Sequence, residues 1–492
     1  MAPAVRRSLP MKTLRSTTVA VISRVFWHLF RISLAFALLF LDNSILLASL
    51  VLARLRSTSD RRREVLQNVQ FYPKTVLITG IGTTSGLALA RAWEAAGHRV
   101  VGVDVADLDL PVRSGGGMSK TLVAFYRVPK DHYLSKILDI IQREKVDIWI
   151  PCSPKASAFE DATARQVVER RTNCKCIAFD TEMTMCFRDS DVFRQFLTDK
   201  RLPLVECYQV QSRDSIHRVL NRSPSKSYQM RRLTASPKEA AVVLPKRTLS
   251  KTYSDVSEIQ ISSDSPWILQ QQTRLGEFFA DVLVVRGYVH AIKVRLVEAR
   301  SPHWGASRLD EALAKAVHRL MQTFAEKGGA RMTGHLSVRL LVDEEFDKSS
   351  VRHTIHIADC VPGAVALENL LRDARCPIQG YLAVLSHDPI EPATWTVPTT
   401  LSPSARSQPT IVDHEFVARL VSRFVSLQLA KRMIALFQAE IVPFMFWKDA
   451  QFCRDDPIPW WWHVHVYQPL REVWQLVKQT REAGLGEISL VE

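Results

Sequence analysis

Two neighbouring segments decide how this chain is read: GHLSVRLLVD, from Gly334 to Asp343, and HTIHIADCVPG, from His353 to Gly363. Both are strand-like, and the acidic group Asp343, Glu344 and Glu345 at the end of the first reads as a solvated turn between them. An earlier segment, PWILQQQTRLGEFFADVLVVRGYVHA (residues 266–291), continues the same strand-rich region.

N-terminal to this region the pattern changes to alternating strands and helices. KTVLITGIGTTSGLALARAWEAAGHRVVGVD (residues 74–104) reads as a short buried strand, a turn made by Gly80, Gly82 and Gly86, a helix over 87–96, and a second strand ending on Asp104. Taken alone, this βαβ start suggests an NAD(P)-dependent reductase, with a pyrophosphate on the helix N-terminus and Asp104 on a ribose. Tyr126 and Lys130 even have the Tyr-x-x-x-Lys spacing, but Pro129 between them breaks the helix that would bring the two together. An amphipathic helix over 133–144, the apolar strand VDIWIPCS, a helix over 156–170 and the strand KCIAFD follow. The fold class expected is α/β: a doubly wound domain over 74–182, then an α+β module over 183–375.

Composition bounds the rest. With 492 residues and 47% apolar content, the chain can bury more than one core. The net charge of +15 is uneven: residues 1–74 hold twelve Lys and Arg against Asp42, Asp60 and Glu64. That asymmetry favours a membrane surface over a nucleic-acid groove, and no nucleic-acid-binding signature accompanies it, so no nucleic-acid partner is expected. Eight scattered cysteines form no disulfide or zinc pattern and read as reduced thiols facing the cytosol. Within the basic stretch of residues 1–70, residues 32–53 are long and apolar enough to cross a bilayer as a helix. Asp42 costs about 2.5–3.5 kcal/mol at the centre of such a span. The alternatives are a re-entrant hairpin turning at Asp42, Asn43 and Ser44, or a buried core helix.

Towards the C-terminus, residues 211–265 are rich in Ser, Arg and Lys, and 376–412 read as a linker. A helical region over 413–492 opens with an amphipathic helix over 413–440. Trp460, Trp461 and Trp462 suit either a membrane interface or packing on a core, and His463 and His465 alternate as strand neighbours would.

Four stretches in this order resemble ATP-grasp proteins, most closely a group found in fungal specialised-metabolite pathways. They are LITGIGTTSGLALARAWEAAGHRVVGVD, VDIWIPCS, PWILQQ with Glu277 and VLVVRGYV, and the strand pair ending DCVPG. The resemblance covers about residues 74–370. It implies a pre-ATP-grasp domain, a module with a mobile lid at 211–265, ATP and magnesium as cofactors, and an acyl phosphate made from a small-molecule carboxylate and attacked by an amine or thiol. By this resemblance Arg231, Gln270, Gln271 and Glu277 hold nucleotide and Asp359 a metal ion, while the glycine turn serves as scaffold or substrate-side wall.

The chain also departs from the family pattern. Ser190 stands where a phosphate-side lysine is usual, Arg339 and Val361 where metal ligands are usual, and Gly363 where an arginine is usual. Magnesium is normally held by one or two carboxylates together with ATP oxygens, and an adjacent arginine opposes it. Three functions follow as expectations: a membrane-associated ATP-dependent ligase, a degenerate accessory or scaffold protein serving pathway partners, or a Rossmann-type reductase.

Overall fold

Five residues in a row, Thr75–Thr79, are buried without alternation, as a central parallel strand requires. This strand (β1) belongs to a computed structural model that describes residues 11–55, 67–69, 71–106, 112–223, 226–232, 242–259, 261, 267–273, 276–296, 311–347, 350–371, 376–386 and 451–488. The chain forms two compact units, one of Met1–Ala156, Arg171–Cys174 and Ser407–Glu492, the other of Ser157–Arg170 and Lys175–Arg406.

In the first unit, β1 pairs in parallel with β2 (Arg99–Ala106) and β4 (Ile148–Pro151), and β2 pairs with β3 (Leu122–Pro129), giving the order β3-β2-β1-β4. Helix α2 (Thr84–Ala95) starts earlier than the sequence suggested because Thr83 caps it, its hydroxyl accepting from the Gly86 N–H. Helix α3 (Tyr133–Glu144) buries Ile137, Leu138, Ile140 and Ile141 on one face. Tyr126 lies on β3 and Lys130 in the turn beyond it, so no helix carries that pair.

The N-terminal helix α1 (Met11–Leu55) runs unbroken through Asp42, Asn43 and Ser44, so the alternative of a hairpin turn there does not form. Its stretch His28–Val51 is long and apolar enough to cross a membrane. Ala35, Asp42 and Ser49, seven residues apart, are buried in one seam, whereas Phe36, Leu47 and above all Phe40 (88% exposed) point away from it. The C-terminal helix Gln468–Ile488 and the turns before it fill the seam. Asp42 pairs with His465 (Oδ2 to Nε2, 2.9 Å), and Glu472 accepts from Arg31 (3.1 Å) and pairs with His28. The Trp461 indole donates to Asn43 Oδ1 (2.8 Å).

His463 and His465 are helical, not strand neighbours, because Trp460 and Val464 are buried one helical turn apart. Trp460 packs edge-on against Phe452, and Trp462 donates to the Arg113 carbonyl, so the tryptophans are engaged within the unit. Buried Asp456 anchors this segment by accepting from Arg91, Ser119 and the Lys120 amide.

The second unit holds two antiparallel sheets. The smaller comprises β5 (Cys207–Val210), β6 (Ser227–Arg232), β7 (Val242–Leu244) and β8 (Trp267–Gln272), in the order β5-β8-β6-β7. The larger comprises β9 (Gly276–Val285), β10 (Tyr288–Leu296), β11 (Gly334–Asp347) and β12 (Ser350–Pro362), in the order β10-β9-β11-β12. Alternation sends Phe278, Ala280, Val282 and Val284 into a core shared with α4 (Thr181–Arg188), α5 (Ser190–Asp199) and α6 (Glu311–Gly328). The other face of the larger sheet therefore carries Glu277, Phe279 and Asp281. Much of the expected linker, the helix over 413–440, Leu275 and the Arg231 side chain fall outside the described residues.

Candidate functional site

Opposed residues of an antiparallel sheet share a face. Across the polar face of the larger sheet, one row reads Arg295, Phe279, Arg339 and Asp359 from β10 to β12, and the next reads Lys293, Asp281, Ser337 and Val361. Arg339 stands between two acids. Its Nε lies 2.8 Å and its Nη2 2.6 Å from Asp359 Oδ2, and Nη1 lies 3.3 Å from Glu277 Oε2. Burial opposes the Arg339 charge, but Asp359 first and Glu277 second outweigh it and hold the guanidinium firmly protonated. A bulge on β12 leaves Ala358 without an opposing residue, Arg339 facing Asp359 and Leu340 facing Ile357. Such bulges re-aim the neighbouring side chains, here Asp359.

These contacts test the fit of a magnesium ion. Glu277 and Asp359 both bind a cation of the chain's own, the Arg339 guanidinium, which fills the place a metal ion between them would need and repels a second cation. Magnesium therefore does not fit here.

Beside this cluster, Asp281 is fully buried and accepts from Arg295 Nε at 2.8 Å. Burial pushes its carboxyl above the usual range, against the opposing pull of Ser337 and Arg295. The Arg295 guanidinium also lies 4.1 Å from the centre of the Phe279 ring. Lys293 and Arg295 escaped the sequence reading. Their signal was the alternation in YVHAIKVRL, which a hairpin closed at Arg286 and Gly287 sets opposite Asp281 and Phe279.

Gln270 and Gln271 sit on β8, where Gln270 faces Cys207 and Gln229, and Gln271 faces Tyr228. Gln271 is buried, its backbone amide donates to the Glu206 carbonyl, and its side-chain oxygen has no hydrogen-bond partner among the described residues. A buried acceptor without a donor is what an amino group on a ligand would satisfy. A chain of backbone bonds links this point to the Arg339 cluster: Ile357 bonds Pro203 and Val205, and Glu206 follows. Glu206, also unforeseen, accepts from Lys226 (2.7 Å) and Tyr228 (2.8 Å). Burial raises its pKa, but these two bonds prevail and hold it low. Tyr228 is pushed up to about 12 by burial and by Glu206. Arg231 lies on β6 opposite Ile268.

Ser190 is the first residue of α5, exposed beside its cap Asp189. Val361 is exposed on the second row. Gly363 adopts φ +96° ahead of the helix Ala364–Leu371, its amide donating to the His335 carbonyl. An arginine there would be strained.

In the first unit, Gly80, Gly82 and Gly86 form one turn. A Cβ on Gly86 would lie 2.3 Å from the Gly80 carbonyl oxygen. The turn's amides are already engaged: Gly80 and Ile81 donate to Val103, Thr83 to Gly80, and Gly82 to Asp104 Oδ1. Ser114 takes the other oxygen of Asp104. With these four amides and both Asp104 oxygens engaged, the turn offers little to a dinucleotide, which weighs against the reductase reading.

Neither the family models nor the curated proteins yield a match to this chain. Solved structures do. The biotin carboxylase subunit of pyruvate carboxylase is 10% identical, covering 65% of this chain and 72% of its own, with a TM-score of 0.46. L-amino acid ligase from Bacillus licheniformis is 14% identical over 67% and 78%, with a TM-score of 0.38. N5-carboxyaminoimidazole synthetase from Staphylococcus aureus complexed with ADP is 12% identical over 59% and 70%, with a TM-score of 0.36. At these values the likenesses assign neither ligand nor reaction to the chain.

Proposed function

We propose that this chain is a membrane-attached, ATP-grasp-like protein that binds an adenine nucleotide without a catalytic magnesium ion and acts as an accessory or scaffold for pathway partners. The observation that carries the reading is the Arg339 guanidinium held between Glu277 and Asp359. Acyl phosphate formation depends on positioned phosphates and on neutralising cations, magnesium chief among them. A fixed internal cation supplies some neutralisation but blocks the metal. For the nucleotide, the buried Gln271 oxygen would accept from the base, Gln270 would border it, and Lys293 and Arg295 supply positive charge on the same sheet face as Arg339.

The ligase reading keeps one observation in its favour: Glu277 and Asp359 still approach a common point. In that reading Arg339 swings aside, and a small-molecule carboxylate is joined to an amine or thiol in a fungal specialised-metabolite pathway. For α1, the exposed apolar side chains Phe36, Phe40 and Leu47 support membrane attachment, with the remaining chain on the cytosolic side.

Calorimetric titration of the protein with ATP separates the two. We expect binding whose affinity changes less than about threefold when magnesium is replaced by EDTA. Tight binding that vanishes without magnesium would sink the accessory reading in favour of the ligase.

A further inference from the structure

The first unit holds a cavity of about 530 Å³ at the C-terminal ends of β1, β2 and β4, a volume suited to an organic molecule rather than a bare ion. Four cations from four separate segments line it: Arg113 before β3, Arg127 on β3, Lys155 after β4, and Arg471 on the C-terminal helix. Among the described lining residues Asp104 is the acid, and both its oxygens already accept bonds, from Gly82 and Ser114. Phe125 and Tyr467 supply apolar wall. We propose that this cavity is a binding site for a phosphate monoester, closed on one side by the C-terminal helix.

Several cations lining one cavity suit a dianion with three equivalent oxygens better than a single carboxylate. The placement of the C-terminal helix adds a second feature. His463, Tyr467 and Arg471, each four residues from the next, face the cavity. His465 and Glu472 face α1. One helix thus separates the anion site from the apolar helix, so the phosphate comes either from a soluble metabolite or from a lipid headgroup beside α1.

The test uses the full-length protein in phosphatidylcholine nanodiscs, read by thermal unfolding at constant ionic strength. One arm adds glycerol 3-phosphate, and the other replaces part of the lipid with phosphatidic acid. We expect at least one probe to raise the midpoint, and Arg471→Gln and Lys155→Gln each to weaken that response about tenfold, the loss of one charge-assisted hydrogen bond. A response to glycerol 3-phosphate alone identifies a soluble ligand, and one to phosphatidic acid alone a headgroup. Arg471 is exposed, so its variant tests the site even if Lys155→Gln, which removes a bond to the Val105 carbonyl, misfolds. No response to either probe, or an undiminished response in Arg471→Gln, would overturn the proposal.

Discussion

Arg339 and Asp359 face each other in register across β11 and β12, with Nη2 2.6 Å from Oδ2, and Glu277 reaches the same guanidinium from β9. The Asp359 side chain is 48% exposed, so its contact with Arg339 ranks with surface pairs. We expect Asp359→Ala to cost about 0–1 kcal/mol in urea denaturation. Arg339→Ala should cost more, because it leaves two carboxylates facing one another. The triple replacement with Glu277→Ala should recover part of that loss.

His335 is fully buried against the Tyr381 hydroxyl (2.9 Å), and burial lowers its pKa to about 3 from an ordinary 6.5. Above pH 6.5 it is neutral in both folded and unfolded chains. Between about pH 6.5 and 3 the unfolded chain takes a proton that the folded chain refuses. Stability should therefore fall with falling pH by at most about 1.4 kcal/mol per unit across that window. Urea denaturation at pH 7.5 and 5.5 should show a smaller pH difference in His335→Asn than in the wild type.

The Asp42–His465 pair is buried on both sides, at 5% and 3% side-chain exposure. Removing one partner leaves the other buried and unsatisfied, which costs about 1–3 kcal/mol, whereas replacing both with apolar residues is often nearly neutral. In detergent, His465→Leu should unfold at lower temperature than the wild type, and Asp42→Leu with His465→Leu should return most of the loss. Equal damage from the single and double variants would refute the pairing.

Deleting residues 1–56 removes α1 and its exposed Phe36, Phe40 and Leu47. The truncated chain should stay in the supernatant where the full chain pellets with membranes. Pelleting of both would place the attachment elsewhere.

In the glycine turn, Gly86→Ala brings a methyl within 2.3 Å of the Gly80 carbonyl oxygen. That overpacking should cost about 1–3 kcal/mol in chemical denaturation.

What the sequence disclosed follows from the range of each interaction. The glycine turn, α3 and the strand-rich character of residues 266–291 are local patterns, and the structure keeps them. Arg339 was readable as a cation in a metal's place, but its hold on Glu277, 62 residues earlier, depended on strand register. The seam between α1 and the C-terminal helix joins Asp42 to His465 across 423 residues, beyond any periodicity. The same distance hid the role of the tryptophans. HVHVY alternates as a strand would, yet the buried Trp460 and Val464 fix a helical period. The cavity was hidden for the same reason: its cations lie 358 positions apart at the extremes, Arg113 to Arg471.

Manganese binding tests most directly whether the Arg339 guanidinium fills the place of a metal ion. Titrating the protein with manganese in the absence of nucleotide, and following the free ion by electron paramagnetic resonance, should show no uptake by the wild type. Arg339→Ala, with Glu277 and Asp359 released, should take up the ion. Stoichiometric uptake by the wild type that disappears in Asp359→Asn would contradict the account.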